Sequence, residues 1–262
     1  MRFSCSSRKA PLVGAFFMAL YFTGDVVADT SESCRPPAAA QVVQVSKVID
    51  GDTLRLASGR SLRLIGLNAP ELGGRGKSAQ PYAEAARRAL AEHVRRSDGR
   101  LRLVSGAEAT DRYGRLLGHA YDRGGRNLEA VMLAQGMGYF VAIAPNTALA
   151  ACHLAAESEA RRTSRGVWQR SPVIEADRIT QGGFAVVRGR VERVERNRGG
   201  VWLELHGQAV VRLVGELDGL DEPERLEGRR VEVRGWIVER KATRHARWMI
   251  TVSHAAMLKS LE

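Results

Sequence analysis

Residues 42–65 read VVQVSKVIDGDTLRLASGRSLRLI, and the turns inside this stretch decide the fold. Val42-Val43-Gln44-Val45 and Lys47-Val48-Ile49 are rich in β-branched side chains, which pack well on a pleated surface. Asp50-Gly51-Asp52 is a strong turn signal, because short Asp side chains bond back to the local backbone and Gly accepts positive φ. Thr53-Leu54-Arg55-Leu56 then alternates polar and apolar, Ser58-Gly59-Arg60 turns again, and Ser61-Leu62-Arg63-Leu64-Ile65 returns. Strands joined by such tight turns make a β-meander.

Downstream the period changes. After a loop over 72–78, Pro81 opens a helical stretch that continues through Leu90 and Val94, with Pro near the first turn. A strand is expected over 100–104, a turn at Asp111-Arg112-Tyr113-Gly114, and a further strand over 116–121. Asn127 is placed to cap a helix over 128–135 that Gly136 stops, and a third helix is expected over 147–162. Gly166-Val167-Trp168 closes the unit, with Trp168 as a core anchor. Residues 171–183, with Pro172 and Gly182-Gly183, read as a linker. From Phe184 onward, short strands over 186–191, 201–205, 210–214, 231–236 and 248–252 are separated by Gly-containing turns, the pattern of a small closed OB-like barrel. The expected fold class is therefore mainly β with α. A five-stranded barrel with three helices occupies 42–170, and a second, smaller OB-like barrel occupies 184–262.

Composition narrows the partner. The chain of 262 residues is 44% hydrophobic and 26% charged, which excludes an unfolded polyelectrolyte. Its 40 Lys+Arg against 29 Asp+Glu give a formal +11, a balance that favours a polyanion, since each neutralised phosphate releases counterions. Basic proteins without a nucleic-acid ligand are common, so charge does not choose the ligand.

Arg2, Arg8 and Lys9 followed by an apolar stretch over 10–24 and by Val26-Val27-Ala28 read as a signal peptide over 1–28, cleaved before Asp29. An uncleaved anchor is the alternative, but Pro11 and Gly14 interrupt the run and it falls short of the ~20 residues of a span. Cys34 follows Ser31-Glu32-Ser33, which lacks the apolar residue of a lipid-attachment signal. Residues 29–41, with Pro36-Pro37, read as a flexible leader. The mature chain keeps Cys34 and Cys152, either a disulfide formed in the periplasm or outside the cell, or two unrelated thiols.

Three segments occur in order: Val48-Ile49-Asp50-Gly51-Asp52-Thr53, then Arg63-Leu64-Ile65-Gly66-Leu67-Asn68-Ala69-Pro70-Glu71, then Thr110-Asp111-Arg112-Tyr113-Gly114-Arg115. Any one is an ordinary turn or loop. The ordered trio, spread over 42–168 with the three expected helices, resembles the staphylococcal-nuclease (thermonuclease) family. That resemblance implies calcium-dependent hydrolysis of phosphodiester bonds in DNA, with RNA as an open second substrate, and products carrying 3′-phosphates. The residue types agree with such chemistry. Asp52 offers a hard carboxylate oxygen for calcium, with Asn68 and the Ala69 carbonyl completing the metal set carried over from the family. Arg63 and Arg115 can fork onto phosphate oxygens as charge accumulates, and Glu71 can take a proton from the attacking water. Tyr113 matches a family residue near the substrate, or is a turn-side core aromatic. Asp50 supports the site or simply forms the turn, and Asp111 braces its own turn.

Two departures qualify the match. Asn68 stands where family members usually carry a second metal-binding aspartate, so one negative charge is missing. Val141-Ala142-Ile143-Ala144-Pro145-Asn146 lacks the tyrosines that stack on the nucleotide in the best-known members, so base preference is not inherited. Taken singly, Arg63 reads equally well as a solvated strand charge and Glu71 as a loop carboxylate paired with Arg75 or Lys77. His93, His119, His153, His206, His245 and His254 show no metal-ligand spacing. In the C-terminal part, Trp202, Trp236 and Trp248 with Arg234, Arg244 and Arg247 form either a stacking and phosphate surface or, the favoured reading, core tryptophans with solvated arginines. The expectation is an exported, monomeric endonuclease acting on DNA or RNA, with no membrane association after signal cleavage. The rivals are a catalytically weak or inactive nucleic-acid-binding module and an envelope protein that uses both barrels for protein contacts.

Overall fold

The structure, a computed structural model, describes residues 1, 34, 40–74, 76, 78–215, 217, 220, 222–241 and 246–261. The expected signal peptide, and the leader apart from Cys34 and residues 40–41, lie outside the described residues.

The meander forms as the turns dictate. β1 (Gln41–Val48) pairs antiparallel with β2 (Thr53–Leu56), and β2 with β3 (Ser61–Leu64). A short β4 (Leu67–Asn68) leads toward α1 (Ala83–Arg96), followed by β5 (Arg100–Thr110) and β6 (Leu116–Tyr121). β5 pairs with both β1 and β6, and β6 runs parallel to β3, so the ring β1-β2-β3-β6-β5 closes. Leu54, Leu62, Leu64 and Leu101 are wholly buried inside it. β5 extends to Thr110, beyond the expected end at 104. Its second half is mostly exposed and its register against β6 shifts after Ser105, so no alternation of apolar residues marks it.

The helices pack on the ring through α1 against β1 and α2 (Leu128–Ala134) against β6. Ala83, Ala86, Leu90 and Val94 give α1 its buried stripe, with Glu84 in the first turn and Arg95 and Arg96 in the last, matching the helix dipole. In α2 the Asn127 side chain accepts from the Ala130 N–H at 2.8 Å, the cap expected from sequence. β7 (Tyr139–Phe140) then pairs with β4, and α3 (Ala150–Arg162) packs on α2. Trp168 is buried, as expected of an anchor.

The C-terminal part forms a second ring. β8 (Val173–Glu175), inside the stretch read as a linker, runs parallel to β9 (Gly183–Asn197). β10 (Gly200–Leu205), β11 (Ala209–Leu213), β12 (Arg230–Glu239), β13 (Trp248–Val252) and β14 (Leu258–Ser260) follow. β9, β10 and β11 pair in sequence, β11 lies parallel to β13, β13 pairs with β12, and β12 returns to β9. Third strand beside fifth, fifth beside fourth and fourth back on first is also the order of the N-terminal ring.

The three tryptophans do not form one surface. Trp248 is buried, Trp202 is half-buried and Trp236 is 41% exposed, so the core reading holds for Trp248 and fails for Trp236. Arg234 is not solvated but buried at the seam between the rings, and Arg247 lies over Trp248 while pairing with Glu239. Arg244 lies outside the described residues.

The seam is built from α3 and the face of β12 bearing Glu232, Arg234 and Trp236, which successive pleats bring to one side. Arg234 pairs with Glu157, and Arg161 reaches Glu232 with two bonds of 2.6 and 2.9 Å, beside a third cation, Arg188. Phe184 and Tyr139 meet across the seam with ring centroids 5.3 Å apart. Cys34 and Cys152 are joined in a disulfide, with Cα atoms 5.9 Å apart.

Candidate active site

Asp52 ends the first turn and is buried. Its Oδ2 accepts from the Ala69 N–H at 2.7 Å and lies 3.1 Å from Arg63 Nη2, while Oδ1 accepts from the Thr53 hydroxyl at 2.9 Å. Asp50 Oδ1 accepts from the Asp52 N–H at 3.0 Å, which makes Asp50 a turn brace beside the site. Burial pushes the Asp52 carboxyl up to about 6, and the neighbouring Asp50 charge adds to that. Arg63 and the bonds from Ala69 and Thr53 pull the other way.

Arg63 is reached by register: it pairs with Thr53 across β2–β3 and with Leu117 across the parallel β3–β6 contact. Its guanidinium is heavily committed. Nη1 donates to the Leu64 and Leu67 carbonyls at 2.6 Å each, and Nη2 donates to Asn68 Oδ1 at 3.3 Å beside Asp52. Asn68 is thus gathered into the cluster through Arg63.

Arg115 stands two residues before Leu117 on the same side of the ring. Asp111 holds it, accepting from the Arg115 N–H at 2.9 Å and from Nε at 2.6 Å, and also from the Tyr113 N–H at 2.9 Å. Burial opposes the Asp111 charge, but these bonds outweigh it and hold its carboxyl below the usual range. Among the described residues the Arg115 Nη groups have no partner, so its fork is free where that of Arg63 is not. Tyr113 is exposed, not a core aromatic. Arg112 and Arg115 lie 4.8 and 5.7 Å from its ring centre.

Arg63, Tyr113 and Arg115 line one cleft of about 510 Å³, together with Ile143, Asn146 and Trp236. Glu71 is not among its lining residues. It is exposed in the loop after Pro70, its backbone fixed by Gln80: the Glu71 N–H donates to Gln80 Oε1 at 2.8 Å, and the Gln80 N–H donates to the Glu71 carbonyl at 2.9 Å. Its carboxylate has no partner among the described residues, and Arg75 and Lys77 lie outside them.

The fold also gathers a cluster that sequence spacing hides. His119, Glu129 and His153 bring ligand-type atoms within 4.8 Å of one another, all buried. Glu129 spends its oxygens on the Ala120 N–H at 3.0 Å and Asn127 Nδ2 at 2.7 Å, and His153 Nε2 meets Asn127 Oδ1 at 2.9 Å. Burial, with His119 beside it, lowers His153 to about 3, so its ring is neutral. Glu129 and His153 are thus tied into a buried network, while His119 Nδ1 has no hydrogen-bond partner among the described residues and lies 3.6 Å from Glu129 Oε1.

The first ring thus holds a buried carboxylate beside Arg63, with Arg115 along the same cleft as Arg63. Residues 61–170 match the family model described as Staphylococcal nuclease homologue. The thermonuclease of Staphylococcus intermedius is 29% identical over 129 residues, spanning 48% of this chain and 75% of that protein. The family match falls on the first ring and its helices, which thus form an SNase-like domain.

Proposed function

We propose that this protein is an exported, metal-dependent endonuclease that hydrolyses phosphodiester bonds of DNA, with RNA as an open second substrate. The observation that carries the reading is the parallel register of β3 and β6, which sets Arg63 and Arg115 along one cleft with the Asp52 carboxylate 3.1 Å from Arg63. Two guanidinium groups converging on a cleft suit a phosphate whose equatorial oxygens gain charge as water attacks. Arg115, braced by Asp111, turns its free fork to those oxygens. Arg63, locked by its four contacts, acts as a fixed positive charge that costs no reorganisation during reaction. Glu71, on a pinned backbone and without a carboxylate partner among the described residues, takes the proton of the attacking water.

The donor set fits a hard cation in kind: the Asp52 carboxylate, the Asn68 amide oxygen and the Ala69 carbonyl. The Asp52 oxygens are already held by Thr53, the Ala69 N–H and Arg63, so a cation would share them with these partners. Calcium bound there would supply added positive charge beside the phosphate. The Cys34–Cys152 disulfide supports export to an oxidising compartment.

The test is cleavage of single- and double-stranded DNA and RNA by residues 29–262, with calcium, with other divalent ions and with chelator, beside Glu71→Ala. Calcium-dependent cleavage that falls about 10²–10⁴-fold in the variant is expected for loss of a general base. No cleavage under any ion, with salt-sensitive binding intact, would leave a binding module. One observation favours that second reading: Asn68, lacking a charge, is held by Arg63. Asn68→Asp separates the two, since a large calcium-dependent gain means that the native site is metal-poor.

A further inference from the structure

The cleft that holds Arg63 and Arg115 is not made by the first ring alone. Trp236, from β12 of the second ring, lines it and is 41% exposed. A single exposed indole is not unusual, but this one opens into the cleft that also holds Arg63, Arg112 and Arg115.

Its position is fixed from behind. Glu232, Arg234 and Trp236 share one face of β12. The first two are clamped to α3 through Arg161 and Glu157, both inside the seam. Phe184 meets the indole at 5.2 Å between centroids and 69°, and Phe184 in turn packs on Tyr139, which packs on Trp168 of the first ring. A ring held by neighbours loses little conformational freedom on binding. Tyr113, the other aromatic of the cleft, is already flanked by Arg112 and Arg115. The segment over 141–146 brings no aromatic side chain at all.

We propose that Trp236 is the base-stacking platform of the site. The second ring lends an indole face to one unpaired base of a single-stranded nucleic acid, while the first ring holds the adjacent phosphate. This rests on the nuclease reading and deepens it by naming single strands as the favoured substrate. A base still stacked inside a duplex does not offer its face to a side chain, whereas an unpaired one does, whatever its identity.

The experiment measures binding of a labelled oligothymidylate to the full mature chain in chelator, where no cleavage intervenes, and compares strands in which one base at a time is removed. Wild type is expected to bind the intact strand best and to lose affinity at one abasic position. Trp236→Ala should bind the intact strand about 5- to 100-fold more weakly, the usual range for one stacked base, and become indifferent to that abasic position. The slope of log affinity against log salt should stay unchanged, because the phosphate contacts remain. Trp236→Phe should recover most of the loss, which a collapsed fold would not. An alanine variant that still senses the abasic position overturns the stacking role while leaving the nuclease reading intact. A wild type that neither binds nor cleaves any strand overturns both.

Discussion

The two rings share their strand order and their single parallel contact, yet the same places in the topology carry different chemistry. Between first and second strands, the N-terminal ring has Asp50 and the buried Asp52. The C-terminal ring has Asn197, whose neutral Oδ1 accepts from the Gly199 N–H at 2.8 Å and Trp202 Nε1 at 2.9 Å. On the third strand, Arg63 faces a carboxylate, whereas Arg212 donates to the Gly199 carbonyl at 2.7 Å and lies over Trp202. The shared architecture does not by itself specify chemistry; in the proposed nuclease the difference lies in the turn residues. What the second ring adds is a wall: a clamped strand face that ends in Trp236.

Breaking the clamp tests how far the rings are one unit. Arg234→Met leaves Glu157 buried with, among the described residues, the Phe140 N–H at 2.8 Å as its hydrogen-bond donor, and unpaired buried carboxylates typically cost about 3–5 kcal/mol. Urea unfolding should show that loss, and pairing the change with Glu157→Gln should recover much of it. The contrast between the arginines comes next. Arg115→Ala should lower kcat about 10²–10³-fold, the range for losing one transition-state donor. Arg212→Ala, on the other ring, should change kcat by less than about twofold; an equal loss in both variants would dissolve the proposed division of labour.

The disulfide staples only the N-terminal side, closing a separation of 118 residues. Replacing Cys34 and Cys152 with Ser should lower stability by about 2–4 kcal/mol, read as a drop in the unfolding midpoint that reductant no longer deepens. A further effect concerns acid. His153 is held neutral, its folded value of about 3 lying below the ordinary 6.5. A depressed value contributes stability above pH 6.5 that is lost as pH falls from there toward 3. His153→Gln should flatten that part of the stability profile. His206 of the second ring is exposed and is raised instead by its bond to Glu192, so it should contribute in the opposite sense and weakly.

The amino-acid sequence by itself determined the rings and the ends of their elements where the signal is local. β-branched runs, Gly-containing turns and the Asn127 cap act over a few residues, so the first meander and the start of α2 were legible. The position of Arg63 beside Asp52 also follows from those turns, whereas the parallel β3–β6 contact that brings Arg115 to the same cleft is a long-range pairing. The outer half of β5 and the strand β8 were not legible, since exposed or very short strands carry no alternation. Only the tertiary structure decided that Arg63 is locked rather than free, that scattered histidines meet at Glu129, and that Arg234 is buried. It alone placed Trp236 in the cleft. Each depends on contacts between residues far apart in sequence, where packing and desolvation set the environment and no local pattern records them.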